Sequence, residues 1–341
     1  MPNHALSSYY RILDGEDTAK YLMTKKHLVA VDLTDAELEL WTKHDSALLG
    51  EGQSAEGISC LDLKAELAKR MLTKCRLCER RCGANRSAGE KGHCGVVEPR
   101  ISSEFIHLGE EPDLVPSYTI FFSGCTFECV FCQNWDISTR PTSGIQLRPD
   151  TVARMIEEKG GSRSHKGERM MAAHSARNVN WVGGDPTSNL PFILEVLRDC
   201  GANIPQVWNS NMYLAEESMK LLDGVIDVYL TDFKYGNDKC ALRLSNVPDY
   251  VRIVGRNHLL ARRQAEMIIR HLVLPGHVEC CSRPVLNWIA ENMGSVKVNV
   301  MAQYRPAHRA KEFKEIDRPL GLSEYEKAVG IADNLGLDLC D

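Results

Sequence analysis

The chain has 341 residues, 43% hydrophobic and 26% charged, which is typical of a globular protein with one large α/β domain and an appendage. Its net charge of −5 argues against general binding to nucleic acid. The first ten residues lack a basic stretch followed by an apolar one, and no apolar run is long enough to cross a membrane. We therefore expect a cytoplasmic location and no membrane partner.

Residues 1–74 are predicted to form a mainly helical extension. One helix is expected to open near Thr34 and another to run from Leu61 to Met71, while the glycines and serine of residues 50–57 indicate a linker between them. No constellation of catalytic side chains occurs in this stretch. Packing against the rest of the chain, or docking of a partner, is therefore the expected role of the extension.

Residues 75–100 contain the first of two short cysteine clusters, which together hold seven of the thirteen cysteines. The cluster comprises Cys75, Cys78, Cys82 and Cys94. Four sulfur ligands suit either tetrahedral zinc or a second, fully ligated iron-sulfur cluster, and the sequence does not choose between the two. His93 is expected to be a neighbour rather than a ligand. A site without an open position would be structural or would relay electrons. The alternative is that these are buried, reduced cysteines without a metal.

The second cluster has the spacing C-x3-C-x2-C and comprises Cys125, Cys129 and Cys132. A [4Fe-4S] cluster is normally held by four cysteines, so three local ligands leave one iron open to a substrate or cofactor. The alternatives are a zinc knuckle or unrelated buried cysteines. Zinc sites favour pairs of cysteines with a second, distant pair, and this preference argues against the knuckle.

From Tyr118 onward, short β-rich runs alternate with amphipathic helical runs, which is the pattern of parallel βα units in an α/β fold. The predicted strands are Tyr118–Phe122, Val179–Val182, Pro205–Trp208, Ile226–Leu230, Arg270–Leu274 and Val296–Met301. Between or after them, Asp150 and Asn189 are expected to cap helices, and Ser323 to open the last helix. Each strand is followed by a polar or glycine-containing loop. Because parallel α/β barrels place active sites at the carboxyl ends of their strands, these loops are expected to converge on one cavity.

The cysteine loop resembles the signature of the radical S-adenosylmethionine (SAM) superfamily. The runs Gly109-Glu110-Glu111-Pro112, Ile120–Cys125 and Cys132-Gln133-Asn134 resemble, within it, the PflX-like branch related to pyruvate formate-lyase activating enzyme. The resemblance covers residues 75–320. It implies a partial (β/α)6 TIM-like barrel over residues 101–320, followed by a C-terminal helix at residues 321–341.

The resemblance also implies the chemistry. Cys125, Cys129 and Cys132 would ligate a [4Fe-4S] cluster, SAM would complete it, and reductive cleavage would give a 5′-deoxyadenosyl radical, as in an oxidoreductase of the activating-enzyme type. The implied partners are a reductant such as flavodoxin or ferredoxin and a peptide or protein substrate. The Asp-Gly-Pro-Gly turn common in glycyl-radical activases is missing. The rival hypotheses are a non-catalytic iron-sulfur carrier or scaffold and a zinc-stabilised interaction module.

Further site residues follow from the same resemblance. The expected cofactor-binding residues are Phe131, Gly183, Gly184, Asp185, Asn209, Asn211, Asp232, Lys234 and His271. The two glycines would let backbone carbonyls approach the SAM ammonium group. Asp232 and Lys234 would point to one side of a strand end, with an ordinary exposed ion pair as the alternative. His271 is expected to face the cavity, with burial in the core as the alternative.

Two further features carry weaker predictions. Residues 160–177 are expected to be a solvated insertion that covers the substrate. The adjacent Cys280 and Cys281 are expected to be packing residues, with a role as hydrogen donor as the alternative.

Overall fold

A computed structural model describes residues 5–51, 53–160 and 175–340. An eight-stranded sheet dominates it, with the strand order β10-β9-β8-β7-β6-β5-β4-β3. Its strands are β3 (Ile101–His107), β4 (Ser117–Phe122), β5 (Asn178–Gly183), β6 (Gln206–Ser210), β7 (Val228–Asp232), β8 (Glu266–Leu272), β9 (Lys297–Met301) and β10 (Asp338–Leu339). A separate two-stranded antiparallel sheet consists of β1 (Leu28–Val29) and β2 (Ile58–Ser59).

Strands β4 to β9 run parallel in chain order, as the alternation of strand and helix patterns predicted. All six predicted strands are confirmed, although β8 begins at Glu266 instead of Arg270. Two edge strands were not predicted: β3 pairs antiparallel with β4, and β10 pairs parallel with β9. In the described ranges β3 and β10 do not pair with each other, so the sheet is an open, partial TIM-like barrel.

Helices cover the outer face of this sheet. The twelve helices of the described ranges are α1 (Ser7–Asp14), α2 (Lys20–Lys26), α3 (Glu37–Leu48), α4 (Cys60–Arg70), α5 (Trp135–Ser138), α6 (Pro149–Lys159), α7 (Leu190–Asp199), α8 (Glu216–Leu222), α9 (Asp238–Ser245), α10 (Tyr250–Gln264), α11 (Arg283–Asn292) and α12 (Leu322–Asn334). None of these described helices is long and apolar enough to cross a membrane. The predicted insertion at residues 160–177 lies largely outside the described residues.

Two predicted helix starts and one predicted capping bond differ from the structure. The helix expected to begin at Asp150 has Pro149 as its first residue, because proline already has the helical φ angle and needs no partner there. Asn189 precedes α7 as predicted, but its side chain makes no capping bond. The last helix begins two residues before Glu324, at Leu322 instead of beyond Ser323, and Glu324 accepts a hydrogen bond from Gly321 N at 3.1 Å.

The amino-terminal extension packs on both the outside and the bottom of the barrel. Helix α4 lies against α7, and its buried Lys64 contacts His44 Nε2 at 2.9 Å. Helix α1 covers the end of the barrel at which the parallel strands begin, where Ser8 N and Tyr9 N donate to the carboxylate of Glu266 at 2.7 and 2.9 Å. The extension thus helps to close the amino-terminal end of the barrel.

The interior of the barrel has an apolar lower layer and a polar upper layer. In the lower layer, Leu6 and Tyr9 of the extension pack against inward-facing strand residues. These strand residues are Val207, Val228, Leu230 and Ile268. Because side chains alternate across a strand, the next inward positions along these strands are Asn209, Asp232 and Arg270. The polar layer therefore lies between the apolar lower layer and the carboxyl ends of the strands.

Candidate functional site

A cavity of about 710 Å³ opens above the polar layer, at the carboxyl ends of the parallel strands. This volume lies within the usual range for pockets that bind small molecules and cofactors. The cysteine loop, the loops after β5, β6 and β7, and the segment before β4 all contribute side chains to its wall. The predicted convergence of the strand ends on one cavity is confirmed for these loops.

The cysteine loop follows β4 and is held in place by α9. Glu128 N donates to Ser245 O at 3.0 Å, and Val130 N donates to Leu244 O at 2.9 Å. At the start of the loop, Gly124 has a φ angle of +88°, which residues other than glycine rarely adopt. The loop therefore has a defined path between β4 and α5, fixed by backbone hydrogen bonds to another part of the chain.

All three sulfurs of this loop line the cavity. The thiol of Cys125 donates to Gly184 O at 3.3 Å, and Ser245 Oγ donates to Cys129 Sγ at 2.9 Å. Cys132 Sγ lies 3.4 Å from Ser138 Oγ. Burial raises the pKa of Cys129 to about 11 and that of Cys125 well above its ordinary value. Thiols in this setting ionise readily only when a bound cation compensates for their burial.

The donor set fits an iron-sulfur cluster. Three sulfurs project into one cavity. They do not all lie within 4.8 Å of one another, since in the described ranges that spacing is met only by a different group of cysteine and histidine side chains. Cluster ligands bind different irons and stand farther apart than the ligands of one ion. In this site the chain would supply three thiolates, and the cluster would supply redox chemistry and an open iron.

The glycine pair after β5 allows the second loop to approach the cysteine loop closely. A Cβ atom added at Gly184 would lie 2.1 Å from Gly124 O, and one added at Gly183 would lie 2.3 Å from Phe122 O. Gly184 N donates to Phe122 O at 2.9 Å. Side chains are therefore excluded at both positions, and the backbone of this loop is exposed to the cavity.

Asp185 links that glycine loop to the end of β6. One carboxylate oxygen accepts from Thr187 N at 2.9 Å, and the other accepts from Ser210 Oγ at 2.9 Å and Asn211 N at 3.0 Å. Asn211 in turn donates to Thr126 Oγ1 at 2.9 Å. Burial raises the pKa of Asp185 in spite of these hydrogen bonds. The carboxylate is thus fully used within the protein and positions the two loops.

Asp232 and Lys234 form an ion pair on the wall of the cavity, with Lys234 Nζ 2.5 Å from Asp232 Oδ2. Arg270 adds a second pair, because its Nε donates to Asp232 Oδ1 at 3.0 Å and one of its terminal nitrogens donates to Asn209 Oδ1 at 2.5 Å. Burial opposes ionisation, but the charges of Arg270 and Lys234 lower the pKa of Asp232 to about 2. The pair is therefore inside the site and is not the exposed ion pair considered as the alternative.

Three charged residues of the cavity were missed by the sequence analysis as site residues. They are Glu110, Glu111 and Arg270. Arg270 lies 3.4 Å from a carboxylate oxygen of Glu110, and Asn299 Nδ2 donates to Glu111 Oε1 at 2.9 Å. The signal for Arg270 was a charge that directly follows the apolar run Met267-Ile268-Ile269 within the strand. The signal for the two glutamates was their place in a run already compared with a family.

His271 does not face the cavity, and the expectation that it would is wrong. Its Nδ1 lies 2.8 Å from Phe233 O and its Nε2 lies 2.8 Å from Ser282 Oγ, so the buried ring has no free nitrogen. Arg270 and Leu272 line the cavity instead. The phase of the alternation was misassigned because we placed Leu272 toward the helices, whereas Leu272 lies on the cavity side with Arg270, and the polar His271 is buried on the opposite side of the strand.

The other predicted residues are brought to the same place. Phe131, Asn209 and Asn211 all line the cavity, and the ring centroid of Phe131 lies 5.8 Å from that of Tyr304. The amide of Asn211 is engaged with Thr126 and Tyr213 N. Asn209 accepts from Arg270. Their contact with a cofactor stays a prediction.

The four amino-terminal cysteines also come together, outside the cavity wall. Burial, with contributions from Cys94, Cys75 and Cys82, raises the pKa of Cys78. The segment lies against the cysteine loop, since Arg80 Nε donates to Thr126 O at 3.1 Å. These four sulfurs do not all lie within 4.8 Å of one another in the described structure. That these cysteines hold a metal, zinc or iron, stays a prediction, with buried, reduced cysteines as the alternative.

An open parallel barrel, with three cysteines of one loop at the mouth of a polar cavity, defines the class of an α/β protein built to hold an incompletely ligated iron-sulfur cluster. The sequence matches the model of the Radical SAM superfamily over residues 119–289. It is also 50% identical over 285 residues to the uncharacterized protein MJ0674 of Methanocaldococcus jannaschii, with 82% of this chain and 80% of that protein covered. The chain belongs to the radical SAM superfamily, whose cofactors are a [4Fe-4S] cluster and SAM.

Remote similarity to solved structures is also found. SuiB of Streptococcus suis bound to the precursor peptide SuiA matches with a TM-score of 0.45 and 12% identity, over 63% of this chain and 46% of that one. A domain of pyruvate-formate lyase-activating enzyme from Bacteroides vulgatus matches with a TM-score of 0.39 and 15% identity, over 48% of this chain and 96% of that one. The chain thus spans less than half the length of SuiB.

Proposed function

We propose that this chain is an enzyme that reductively cleaves SAM at a [4Fe-4S] cluster held by Cys125, Cys129 and Cys132, and uses the resulting 5′-deoxyadenosyl radical to abstract a hydrogen atom. The observation that carries the proposal is the convergence of the three sulfurs, the glycine loop and a buried charged network on one cavity of about 710 Å³. An electron carrier has no need of such a cavity, so its presence favours the enzyme over a carrier or scaffold.

The chain's residues have separate tasks in this proposal. The exposed backbone of Gly183 and Gly184 would accept hydrogen bonds from the SAM ammonium group. The ammonium group of Lys234 would bind the carboxylate of SAM. Burial disfavours the protonated form of Lys234, but the negative charge of Asp232 outweighs burial and raises the pKa of Lys234, so the side chain stays charged. Asn209 and Asn211 would lie beside the ribose. Phe131 would shield the cluster from water.

The substrate is proposed to be a peptide or protein, because the sequence resembles relatives of pyruvate formate-lyase activating enzyme. Glu111 supports a substrate with N–H groups. It is buried, it lines the cavity, and its Oε2 has no hydrogen-bond partner among the described residues, whereas its Oε1 accepts from Asn299. A buried acceptor without a donor costs free energy, which a peptide N–H or an ammonium group would recover. The missing Asp-Gly-Pro-Gly turn separates this chain from typical glycyl-radical activases.

The reaction needs one electron for each SAM cleaved, and we propose a small reductant such as flavodoxin or ferredoxin as its source. Residues 75–100 lie against the cysteine loop through the contact of Arg80 with Thr126 and of His93 Nε2 with Glu128 Oε1 at 3.3 Å. A second cluster in that segment would be close enough to pass the electron on. A zinc ion there would instead fix the shape of the loop.

Anaerobic reconstitution with iron and sulfide, followed by dithionite and SAM, tests the proposed cleavage. We expect 5′-deoxyadenosine from the parent chain and at least a hundredfold less from Cys129→Ala, because the cluster loses one of its three protein ligands. Cys60→Ala is the matched control, since Cys60 is buried in α4 outside the cavity, and it should retain activity. A brown parent protein that binds SAM but yields no 5′-deoxyadenosine would contradict the proposal, as would full activity in Cys129→Ala.

A further inference from the structure

A second set of metal-ligating side chains lies outside the cavity, in the loops that follow β7 and β8. Four potential ligand atoms, from Cys240, His277, Cys280 and Cys281, all lie within 4.8 Å of one another. Cys240 belongs to the first turn of α9, and the other three belong to the turn between β8 and α11. None of the four lines the cavity. Packing accounts for the buried Cys281 but not for the exposed Cys280 or for the convergence of four ligand atoms, and neither cysteine reaches the cavity as a hydrogen donor would have to.

The distances between these atoms are those expected around one ion. The sulfur of Cys280 lies 4.0 Å from each of the sulfurs of Cys240 and Cys281. Nδ1 of His277 lies 3.6, 3.3 and 3.9 Å from the sulfurs of Cys240, Cys280 and Cys281. Zn–S and Zn–N bonds of about 2.3 and 2.0 Å in a tetrahedron place neighbouring ligand atoms roughly 3.5–3.8 Å apart.

The same distances argue against an iron-sulfur cluster at this place. The ligands of a cubane bind four different irons, so they stand farther apart than the ligands of a single ion. Three thiolates and one imidazole in a tetrahedral arrangement are a ligand set that zinc prefers. In the described part of the chain this is the only group of three or more such side chains within 4.8 Å.

The orientation of His277 gives independent support. The imidazole is 6% exposed, and its Nδ1 points at the three sulfurs. Its Nε2 is buried and has no hydrogen-bond partner within the described residues. Sulfur atoms form only weak hydrogen bonds. The ring therefore points at the thiols although no conventional hydrogen bond holds it there. This orientation is suited to binding a metal ion between Nδ1 and the sulfurs.

We propose that Cys240, His277, Cys280 and Cys281 bind one zinc ion in a closed, structural site. The ion would tie α9 to the loop after β8. The other end of α9 holds the cysteine loop, through Ser245 Oγ to Cys129 Sγ at 2.9 Å and through Ser245 O to Glu128 N at 3.0 Å. A fixed α9 thus supports the cluster-binding loop from outside the cavity. This proposal does not depend on the SAM chemistry of the preceding subsection.

Differential alkylation of the full chain tests the site without any substitution. The chain is purified anaerobically, treated with N-ethylmaleimide before or after removal of zinc by a chelator, and mapped by mass spectrometry. Cys280 is exposed and Cys240 partly exposed, so without an ion both should react at once. We expect both to be at least tenfold slower with zinc present and fast after chelation. Equal rates in the two samples would overturn the proposal.

Metal analysis of variants gives the second test. Cys280→Ser and Cys240→Ser should each contain about one zinc ion per chain less than the parent, while Cys60→Ser should lose none. The difference between parent and variant excludes any zinc at Cys75–Cys94 from the measurement. Three results would overturn the proposal: an unchanged zinc content, loss of iron with sulfide in place of zinc, or a Cys240–Cys280 disulfide in the metal-free protein as isolated.

Hydrogen exchange then measures the mechanical role of the ion. Backbone amides of residues 238–245 should exchange at least tenfold faster in Cys280→Ser than in Cys60→Ser, because α9 loses its tether at the end opposite Ser245. Unchanged protection of α9 in a variant that has lost its zinc would contradict the proposed support of the cysteine loop.

Discussion

Carboxylates in the cavity wall differ in how many hydrogen bonds the protein itself supplies to them. Asp185 is saturated by Thr187, Ser210 and Asn211, so it positions loops. Glu111 keeps an unpaired oxygen in the cavity and is available to a substrate. We therefore expect these two carboxylates to have different roles, according to how many of their hydrogen bonds the protein itself supplies.

Asp232 is predicted to stabilise the fold in a pH-dependent way. Burial opposes ionisation, yet Arg270 and Lys234 hold the pKa of Asp232 at about 2, below its ordinary value of roughly 4. A lowered carboxyl pKa contributes stability that is complete above the unfolded-state pKa and is lost as the pH falls through the folded-state pKa. In Asp232→Asn the two cations lose their counter-charge, and we expect a lower free energy of unfolding by about 3 kcal/mol at pH 7.

Urea unfolding of the cluster-free chain at several pH values measures this contribution. The deficit of Asp232→Asn should be constant between pH 7 and 5 and should shrink below about pH 4 as the parent protonates. Asp333→Asn, at an exposed helix end, should stay within about 0.5 kcal/mol of the parent. A deficit that persists unchanged to pH 2 would show that the charge of Asp232 is not its origin.

Among the helices and strands, the position of α1 differs most from what the sequence predicted. The sequence suggested only a packing or docking segment before residue 74, but the structure places Leu6 and Tyr9 inside the lower end of the barrel. Tyr9 also accepts from Asn178 Nδ2 at 2.8 Å, at the start of β5. An open barrel exposes apolar interior residues at its bottom, and α1 removes them from water.

Tyr9→Ala should therefore destabilise the barrel, by about 3–5 kcal/mol, because it leaves a cavity among buried strand residues. Leu38→Ala is the matched control, since that leucine is 80% exposed on α3 and its truncation should cost less than about 0.5 kcal/mol. Chemical denaturation followed by circular dichroism distinguishes the two. If Tyr9→Ala lowered the free energy of unfolding by less than about 1 kcal/mol, the packing of α1 into the barrel would contribute little to stability.

At the scale of the whole molecule, the cysteines fall into separate sets with different tasks. The cavity holds the open set of Cys125, Cys129 and Cys132, while the sets at Cys75–Cys94 and at Cys240–Cys281 lie outside its described wall on either side of the cysteine loop. We therefore propose that SAM is cleaved only at the set inside the cavity. The two outer sets lie next to segments that contact the cysteine loop through Arg80 and Ser245.

The double variant Cys75→Ala, Cys78→Ala should lose the metal of the amino-terminal segment and keep the iron and sulfide of the cysteine loop. The reason is that the two sets share no ligand and do not meet within the distance of one ion. Iron, zinc and sulfide analysis of the reconstituted chain provides the measurement, with Cys60→Ala as control. The lost element identifies the site as zinc or iron-sulfur. Loss of the cysteine-loop cluster as well would show that the two sets assemble together.

The sequence by itself determined the local features of this protein. The spacing of three cysteines identified the cluster loop, because three ligands within a segment of eight residues must share one loop. The alternation of strand and helix patterns gave six parallel strands, because the period of apolar residues differs between the two elements. The paired glycines after β5 were recognisable since only glycine permits so close an approach of two backbones.

Only the tertiary structure decided what depends on contacts between distant segments. It showed that Arg270 and not His271 faces the cavity, because the phase of a strand depends on which face of the sheet is polar. It placed α1 beneath the barrel through contacts between residues more than a hundred positions apart. It also joined Cys240 to the turn at His277–Cys281, which no spacing in the sequence indicates, because ligands from two loops meet only when their strands lie side by side.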